Sequence, residues 1–194
     1  MRKPDQRRLT PDDWARAALD AIARGGVGAV AVETLAAELG ATKGSFYWHF
    51  KNRDALIDAA LERWEQRRTD AVIEHLEHEP DPTRRLRLLL EGGFELGPTD
   101  RAEIALLANP GHPAALRAVR RVTERRIGYL SDQLEALGWN ARDARDRAVL
   151  IAYVYVGHIQ LAHIAPKLTG ADSQQRQIEL AFNALVQGAA AVFR

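Results

Sequence analysis

Apolar residues recur at intervals of three and four along almost the whole chain, which is the spacing of one face of an α-helix. The first such segment begins at Thr10-Pro11-Asp12-Asp13, where a capping hydroxyl, a proline and two acidic residues favour a helix start. It ends at Gly25-Gly26. The pattern predicts a first helix whose apolar face carries Trp14, Ala18, Leu19, Ile22 and Ala23.

Glycine, proline and asparagine separate the later apolar segments, and the same reasoning predicts eight more helices. Their predicted bounds are 32–39, 43–50, 53–79, 83–96, 100–108, 113–137, 141–165 and 172–193. Residues 149–156 are rich in β-branched side chains, but their flanks are helical and no second strand is predicted that could pair with them. The sequence therefore predicts an all-α fold of about nine helices.

The second and third predicted helices are short and are joined by a tight turn. Ala36 is small enough for the third helix to cross the second closely, and Gly40 supplies the positive φ that the turn requires. This spacing predicts a helix-turn-helix. The side chains expected to pack between its helices and against the first helix are Leu35, Leu39, Phe46 and Phe50.

The third predicted helix is left with an exposed face of hydrogen-bond donors, a glycine and aromatic rings. A tyrosine and a tryptophan side by side in solvent have no structural explanation, whereas the major groove of DNA offers phosphate oxygens and thymine methyl groups. The face therefore predicts DNA contact, with a structural position on the core side as the alternative for His49. Its residues are Lys43, Gly44, Ser45, Tyr47, Trp48 and His49.

The stretch from Ala41 to Leu56, ATKGSFYWHFKNRDAL, resembles the signature of the tetracycline-repressor (TetR) family. Members of that family are ligand-responsive bacterial transcription regulators, usually repressors. The resemblance covers roughly residues 10–60, and the remainder agrees with the family only in length, helix count and loop placement. One departure is that the helix beginning at Val32 lacks the usual Ser or Thr cap.

The resemblance implies which residues contact DNA. It assigns backbone contacts to five polar residues, namely Thr42, Lys43, Tyr47, His49 and Lys51. Ser45 and Trp48 fall where base edges or thymine methyl groups are met. Gly44 would lie against the DNA, and Arg53 would make a further phosphate contact.

The charge distribution is consistent with an anionic partner at the N-terminal end. Residues 1–53 contain nine Lys/Arg and six Asp/Glu, a net charge of +3, whereas the remainder has a net charge of −2. A basic tail precedes the first helix, and it is either merely solvated or adds phosphate or minor-groove contacts. Its residues are Arg2, Lys3, Arg7 and Arg8.

Several classes of function are disfavoured. The 194 residues include no cysteine, which excludes disulfides, iron–sulfur clusters and Cys-ligated zinc. No Gly-rich phosphate loop, HExxH or G-x-S-x-G motif is present, so we expect no enzymatic activity, no metal and no cofactor.

Residues 148–165 are mostly apolar, but His158, Gln160 and His163 favour a buried helix over a membrane span. No apolar leader follows the basic N-terminus, so we expect a cytoplasmic protein.

The remaining helices predict a body, residues 54–194, that follows a helix-turn-helix domain at residues 1–53. Residues 141–165 are apolar nearly all round, and the last helix has an apolar stripe, so two copies could form a two-fold four-helix interface on a matching inverted-repeat operator. The alternative is that these surfaces close a monomeric core. The stripe consists of Ile178, Phe182, Leu185, Ala189 and Val192.

We expect a ligand pocket among the fourth to eighth predicted helices. Gly92-Gly93 lies within a helical segment, either to let helices cross closely or to make room for a ligand. The favoured function is a small-molecule-responsive repressor that acts as a homodimer, with activation left open. The rival is a constitutive DNA-binding or architectural protein with a ligand-free body. Polar-aromatic candidates for the pocket lining are Phe94, Tyr153, Tyr155 and His158.

Overall fold

The computed structural model describes residues 8–108 and 111–187, which form ten α-helices and no strands. The helices are α1 (Pro11–Gly25), α2 (Val32–Glu38), α3 (Lys43–Tyr47), α4 (Arg53–Glu65), α5 (Ala71–Glu77), α6 (Pro82–Leu96), α7 (Arg101–Ala108), α8 (Pro113–Ala136), α9 (Ala141–Ile164) and α10 (Ala171–Phe182). Two π-helical turns, Gln66–Asp70 and Asn183–Gln187, follow α4 and α10. The all-α prediction is confirmed. Arg2, Lys3 and Arg7 of the basic tail lie outside the described residues.

The start of α1 has the predicted cap. The Thr10 hydroxyl accepts a hydrogen bond from the Asp13 amide at 3.2 Å, and the Asp13 carboxylate accepts one from the Thr10 amide at 2.9 Å. This reciprocal pair satisfies two amides that have no partner within the helix. Trp14, Ala18 and Ile22 are fully buried, so the helix presents the expected face to the core.

Three predicted helix boundaries are wrong. The last helix is predicted over 172–193, but α10 gives way to the π-helical turn at Asn183–Gln187. Helix α3 ends at Tyr47, three residues before the predicted end at Phe50, because the chain must turn before Asn52 caps α4 by accepting the Ala55 amide at 2.9 Å. The fourth helix was expected to run unbroken over 53–79, but a π-helical turn at Gln66–Asp70 separates α4 from α5. Such turns leave no clear signature in a single sequence, and they are often found at functional sites.

The apolar side chains form two cores. The first joins α1 to α4 with the inner faces of α7 and the N-terminal half of α8, and Trp14, Phe46 and Trp64 are its largest members. The second lies between α6, the C-terminal half of α8, α9 and α10. The first core thus extends across residue 53, where we predict the division between the domains. Helix α8 is the element that belongs to both cores.

The C-terminal segment is fastened to the second core, which corrects part of the predicted dimer stripe. Ile178 and Phe182 are fully buried within their own chain, and Leu185 packs against the same core, because α10 packs on α6 and the π-helical turn that follows it packs on α9. Trp139 helps to hold this segment by donating its indole N–H to the Val186 carbonyl at 3.0 Å. Ala189 and Val192, the other members of the stripe, lie outside the described residues.

Helix α9 leaves an apolar stripe uncovered. It is the one helix among those described that is long and apolar enough to cross a membrane, and only 22% of its most apolar window is buried within the chain. The exposed apolar positions repeat at helical spacing, so they share one face. Gly157 lies between them on that face. The stripe, called the α9 stripe below, consists of Leu150, Tyr153, Val154, Leu161 and Ile164.

Candidate nucleic-acid interface and ligand cavity

The helix-turn-helix forms as the spacing predicts. Gly40 has φ +64°, and Ala36 is buried beneath the crossing of α2 and α3. Phe46 is fully buried, meets Trp14 edge-on at 5.5 Å between ring centroids and stacks on Phe50 at 5.8 Å. These contacts hold the short α3 against α1. A helix of five residues is not stable by itself, so the orientation of its outer face depends on this packing.

The outer face of α3 and the following turn presents the predicted aromatic pair. Trp48 is 84% exposed and Tyr47 is 56% exposed, a large apolar surface with no covering element in the described chain. Thr42, Lys43 and Gly44 are also exposed, whereas Ser45 and His49 are half-buried at its edge. The structure therefore brings the candidate DNA-binding residues of this segment to one surface.

The lysines at this surface differ in their surroundings. Lys43 Nζ lies 2.5 Å from Glu33 Oε1 of α2. This hydrogen bond and the attraction of the two charges raise the pKa of Lys43 and lower the pKa of Glu33. Lys51 is exposed and has no ion pair within the described part of the chain. Lys51 is therefore free to meet a phosphate, whereas Lys43 must first leave Glu33.

Arg53 is placed differently from the other candidates. It is half-buried, and its guanidinium donates to the Val30 carbonyl at 2.6 Å and to the Val27 carbonyl at 2.8 Å. These bonds tie the start of α4 to the turn before α2. A phosphate contact by Arg53 stays a prediction, and it would have to use the donors that remain.

A cavity of about 460 Å³ opens in the body between the Gln66–Asp70 turn, α5, α6, α8 and α9. That volume lies within the range of small-molecule sites. Two of the four predicted lining residues, Phe94 and Tyr155, line it. Tyr153 does not, because it is 68% exposed on the α9 stripe. His158 lies behind the lining, with its ring stacked on Phe94 and Nε2 3.0 Å from the Phe94 carbonyl oxygen.

The adjacent glycines of α6 have different roles. A Cβ on Gly92 would meet no atom within 4 Å, and Gly92 lines the cavity. A Cβ on Gly93 would lie 3.3 Å from the Tyr155 ring, and one on Gly97 would lie 3.0 Å from it. Gly92 thus faces open space at the cavity wall, while Gly93 and Gly97 allow α6 and α9 to approach closely.

Comparisons with known proteins agree with this architecture. Residues 15–60 match the family model for bacterial regulatory proteins of the tetR family. The chain is 28% identical to the class A tetracycline repressor of Escherichia coli transposon 1721 over 158 residues, which cover 78% of this chain and 66% of that protein. The N-terminal helix-turn-helix domain therefore belongs to the TetR family. The chain is also 26% identical over 117 residues to the HTH-type transcriptional regulator BetI of Pseudomonas paraeruginosa, covering 57% of this chain and 59% of that protein.

Similarity of fold covers a longer part of the chain than similarity of sequence does. A transcriptional regulator from Rhodococcus sp. Rha1 superimposes with a TM-score of 0.75 at 21% identity, covering 92% of this chain and 97% of the other. The chain matches less than two thirds of the length of each of the two curated relatives. The family model covers residues 15–60, so it supports the assignment of the helix-turn-helix but includes none of the residues that line the cavity.

One buried cluster beside the cavity was missed by sequence reasoning. The sequence pattern suggests Glu103 as the partner of Asp100 in a helix cap, and Asp100 does accept the Glu103 amide at 3.0 Å. The Glu103 carboxylate, however, is 1% exposed and receives two hydrogen bonds from the Arg126 guanidinium, at 2.6 and 3.3 Å. Tyr155 donates to the same carboxylate at 3.0 Å, and burial together with Glu103 raises the pKa of that hydroxyl.

The same arginine connects the cluster to the π-helical turn. Arg126 donates to the Thr69 hydroxyl and to the Arg68 carbonyl, both at 3.1 Å. Arg126 and Tyr155 line the cavity, and Glu103 belongs to α7, which packs against α1 of the helix-turn-helix. No local motif indicates this cluster, because its members come from four separate elements. The cluster therefore links the cavity wall to the helix-turn-helix domain formed by α1 to α3, called the head below.

Proposed function

We propose that this TetR-family protein is a transcriptional repressor that binds an inverted-repeat operator as a homodimer and is released by a small molecule in the cavity. The observation that carries the proposal is the exposed Trp48 and Tyr47 on the outer face of a packed helix-turn-helix. A large uncovered aromatic surface beside lysines fits the major groove, where rings meet thymine methyl groups and lysines meet phosphates. Such a partner places the protein in the bacterial cytoplasm.

The roles proposed for the DNA-binding residues follow from their positions. Trp48 and Ser45 would meet base edges, and Gly44 would let the α3 backbone approach the DNA. The half-buried His49 would reach a phosphate from the edge of the face. The residues proposed to hold the DNA backbone are Thr42, Lys43, Tyr47, His49 and Lys51.

Replacing Trp48 with alanine is expected to reduce discrimination between operator and unrelated DNA by about 1–3 kcal/mol, the usual value of one base contact. Replacing Lys51 with alanine is expected to weaken binding to every sequence and to lower the slope of log affinity against log salt by about one. Lys43→Ala should cost less than Lys51→Ala, because Lys43 gives up its Glu33 ion pair on binding. Fluorescence anisotropy with a selected operator and a scrambled duplex measures all three.

Arg145→Ala is the matched control for these variants. Arg145 is an exposed cation near the start of α9, on the side of the second core and off the α9 stripe, so its loss should leave operator affinity and salt slope unchanged. Circular dichroism establishes that each variant is folded. Folded Trp48→Ala and Lys51→Ala proteins with wild-type affinity would show that the assigned face is not the DNA interface.

The cavity favours a ligand-responsive regulator over the architectural alternative. A scaffold that only dimerises gains nothing from an open apolar cavity, which costs packing energy in the body. A ligand changes DNA affinity only if it binds one arrangement of the heads better than another. The route we propose runs from the cavity wall through Arg126 and Glu103 to α7, which packs against α1.

An inducer and the operator are expected to weaken each other's binding by the same factor, about 5- to 150-fold, because coupling is reciprocal. Screening for compounds that raise the melting temperature of the wild type, but not of Gly92→Leu, selects ligands of the cavity. Gly92 lines the cavity and a Cβ there meets open space, so we expect a leucine at this position to fill part of the cavity without disturbing the packing of α6. Equal ligand affinity with and without operator would exclude that compound as an inducer. A screen yielding none would favour the architectural alternative.

A further inference from the structure

The charged residues that line the cavity are all of one sign. Three arginines, Arg67, Arg68 and Arg126, contribute to its lining, and no aspartate or glutamate does. Apolar residues from α5, α6, α8 and α9 form most of the remaining wall. An apolar wall with a basic end is complementary to a molecule that has an apolar body and an acidic group.

Two of the three arginines already form ion pairs with carboxylates that do not line the cavity. Arg126 holds the Glu103 carboxylate with two hydrogen bonds, and Arg68 Nε lies 2.6 Å from Asp100 Oδ2. Arg67 is exposed and has no acidic partner within the described part of the chain. The charge that remains available to a ligand is therefore that of Arg67, on the π-helical turn where the cavity meets solvent.

A buried hydroxyl on the same wall is a second polar group beside the cavity. Tyr129 lines the cavity and is 5% exposed, and its oxygen makes no close hydrogen bond within the described residues. Burial and the nearby Glu77 carboxylate raise its pKa to about 12, so the group stays protonated and able to donate. Glu77 itself does not line the cavity and lies 3.5 Å from Arg85. A ligand with oxygen acceptors would compete with Glu77 for the Tyr129 donor.

We propose that the effector of this cavity is an amphipathic acid, an apolar molecule whose single anionic group is held by Arg67 at the π-helical turn. The assignment rests on the proposed function, in which the cavity takes a small-molecule effector. An anion at this position lies beside Thr69 and Arg68, whose side-chain hydroxyl and carbonyl are hydrogen-bonded to Arg126. The ligand would therefore act on the segment that holds Arg126 against Glu103.

Decanoate, decan-1-ol and decylamine test the proposal, because they share one alkyl chain and differ only in the charge of the head group. Calorimetric titration of the full chain near neutral pH, below the aggregation limit of each probe, gives three affinities. Wild-type protein is expected to bind decanoate about twofold to fivefold more tightly than the alcohol, the usual gain from an ion pair with an exposed arginine. Arg67→Gln should lose that preference and keep its affinity for the alcohol.

Arg120→Gln is the matched control, since Arg120 is an exposed arginine of α8 that does not line the cavity. It should keep the wild-type preference for decanoate, and Gly92→Leu should lose binding of every probe. Equal or tighter binding of the alcohol or the amine overturns the anionic assignment but leaves the cavity as an effector site. Binding of none of the probes overturns it as well, while operator release by other cavity ligands still tests the proposed function. An unchanged preference in Arg67→Gln, or unchanged binding in Gly92→Leu, shows that the anion is held elsewhere.

Discussion

Replacing Arg126 with methionine is expected to lower the free energy of unfolding by about 3–5 kcal/mol, the usual cost of removing one partner of a buried ion pair. The Glu103 carboxylate is 1% exposed, and without Arg126 it would keep only the hydrogen bond from Tyr155. Urea denaturation followed by circular dichroism measures the change. We expect a lower midpoint with an unchanged slope, because the surface exposed on unfolding stays nearly the same.

The double variant Glu103→Leu/Arg126→Met distinguishes two causes of the lost stability, namely the unpaired buried charge of Glu103 and the loss of packing around residue 126. With both charges removed, most of the lost stability should return, as it does when buried pairs are replaced by apolar residues of similar volume. Arg121→Met is the surface control, because its pair with Glu65 is largely solvated and is worth at most about 1 kcal/mol. If Arg126→Met cost no more than Arg121→Met, the buried cluster would contribute little to stability.

Introducing glutamate at Tyr153 and Leu180 together is expected to produce a folded monomer with operator affinity about 10²- to 10⁴-fold lower. Both side chains are more than 60% exposed, so the charges should not disturb either core. We propose that the α9 stripe and α10 pair with their counterparts in a second copy, with Gly157 allowing close approach of the helices. A monomer binds one half-site and loses the effective concentration that a linked second head provides.

Sedimentation velocity and operator titration together test this interface. Leu116→Glu is the control, because Leu116 is an exposed leucine at the start of α8, away from both helices of the proposed interface. Leu185→Glu is a poorer choice, since Leu185 packs against the second core of its own chain. A double variant that still sediments as a dimer would show that copies associate through another surface. A monomeric wild type would favour the monomeric alternative.

The head could be predicted closely because its information is local. The Thr10 cap and the positive φ of Gly40 follow from residues only a few positions apart, and the spacing of Phe46 and Phe50 marks the buried side of α3. The predicted end of α3 is three residues too late, because apolar spacing continues to Phe50 whereas the helix gives way to a turn after Tyr47. The spacing of apolar residues indicates which side chains are buried, but it does not indicate where the helix ends and the backbone turns.

The body was harder to predict because α9 is apolar on almost every side. Tyr153 and Tyr155 are two residues apart, so they point to nearly opposite sides of the helix. Only the packing of α6 against α9 determines that Tyr155 faces the cavity and Tyr153 the outside. The pairing of Glu103 with Arg126 was invisible for the same reason, since 23 residues and a helix boundary separate them.

The extension of the first core across residue 53 limits how such regulators can be recombined. Trp14 and Phe46 share their core with Leu106 of α7 and with Ala115 and Val122 of α8. A hybrid that grafts residues 1–53 onto a foreign sensor would set these side chains against an unmatched surface. Engineered biosensors built on this chain should therefore exchange the inner faces of α7 and of the first half of α8 together with the reading head.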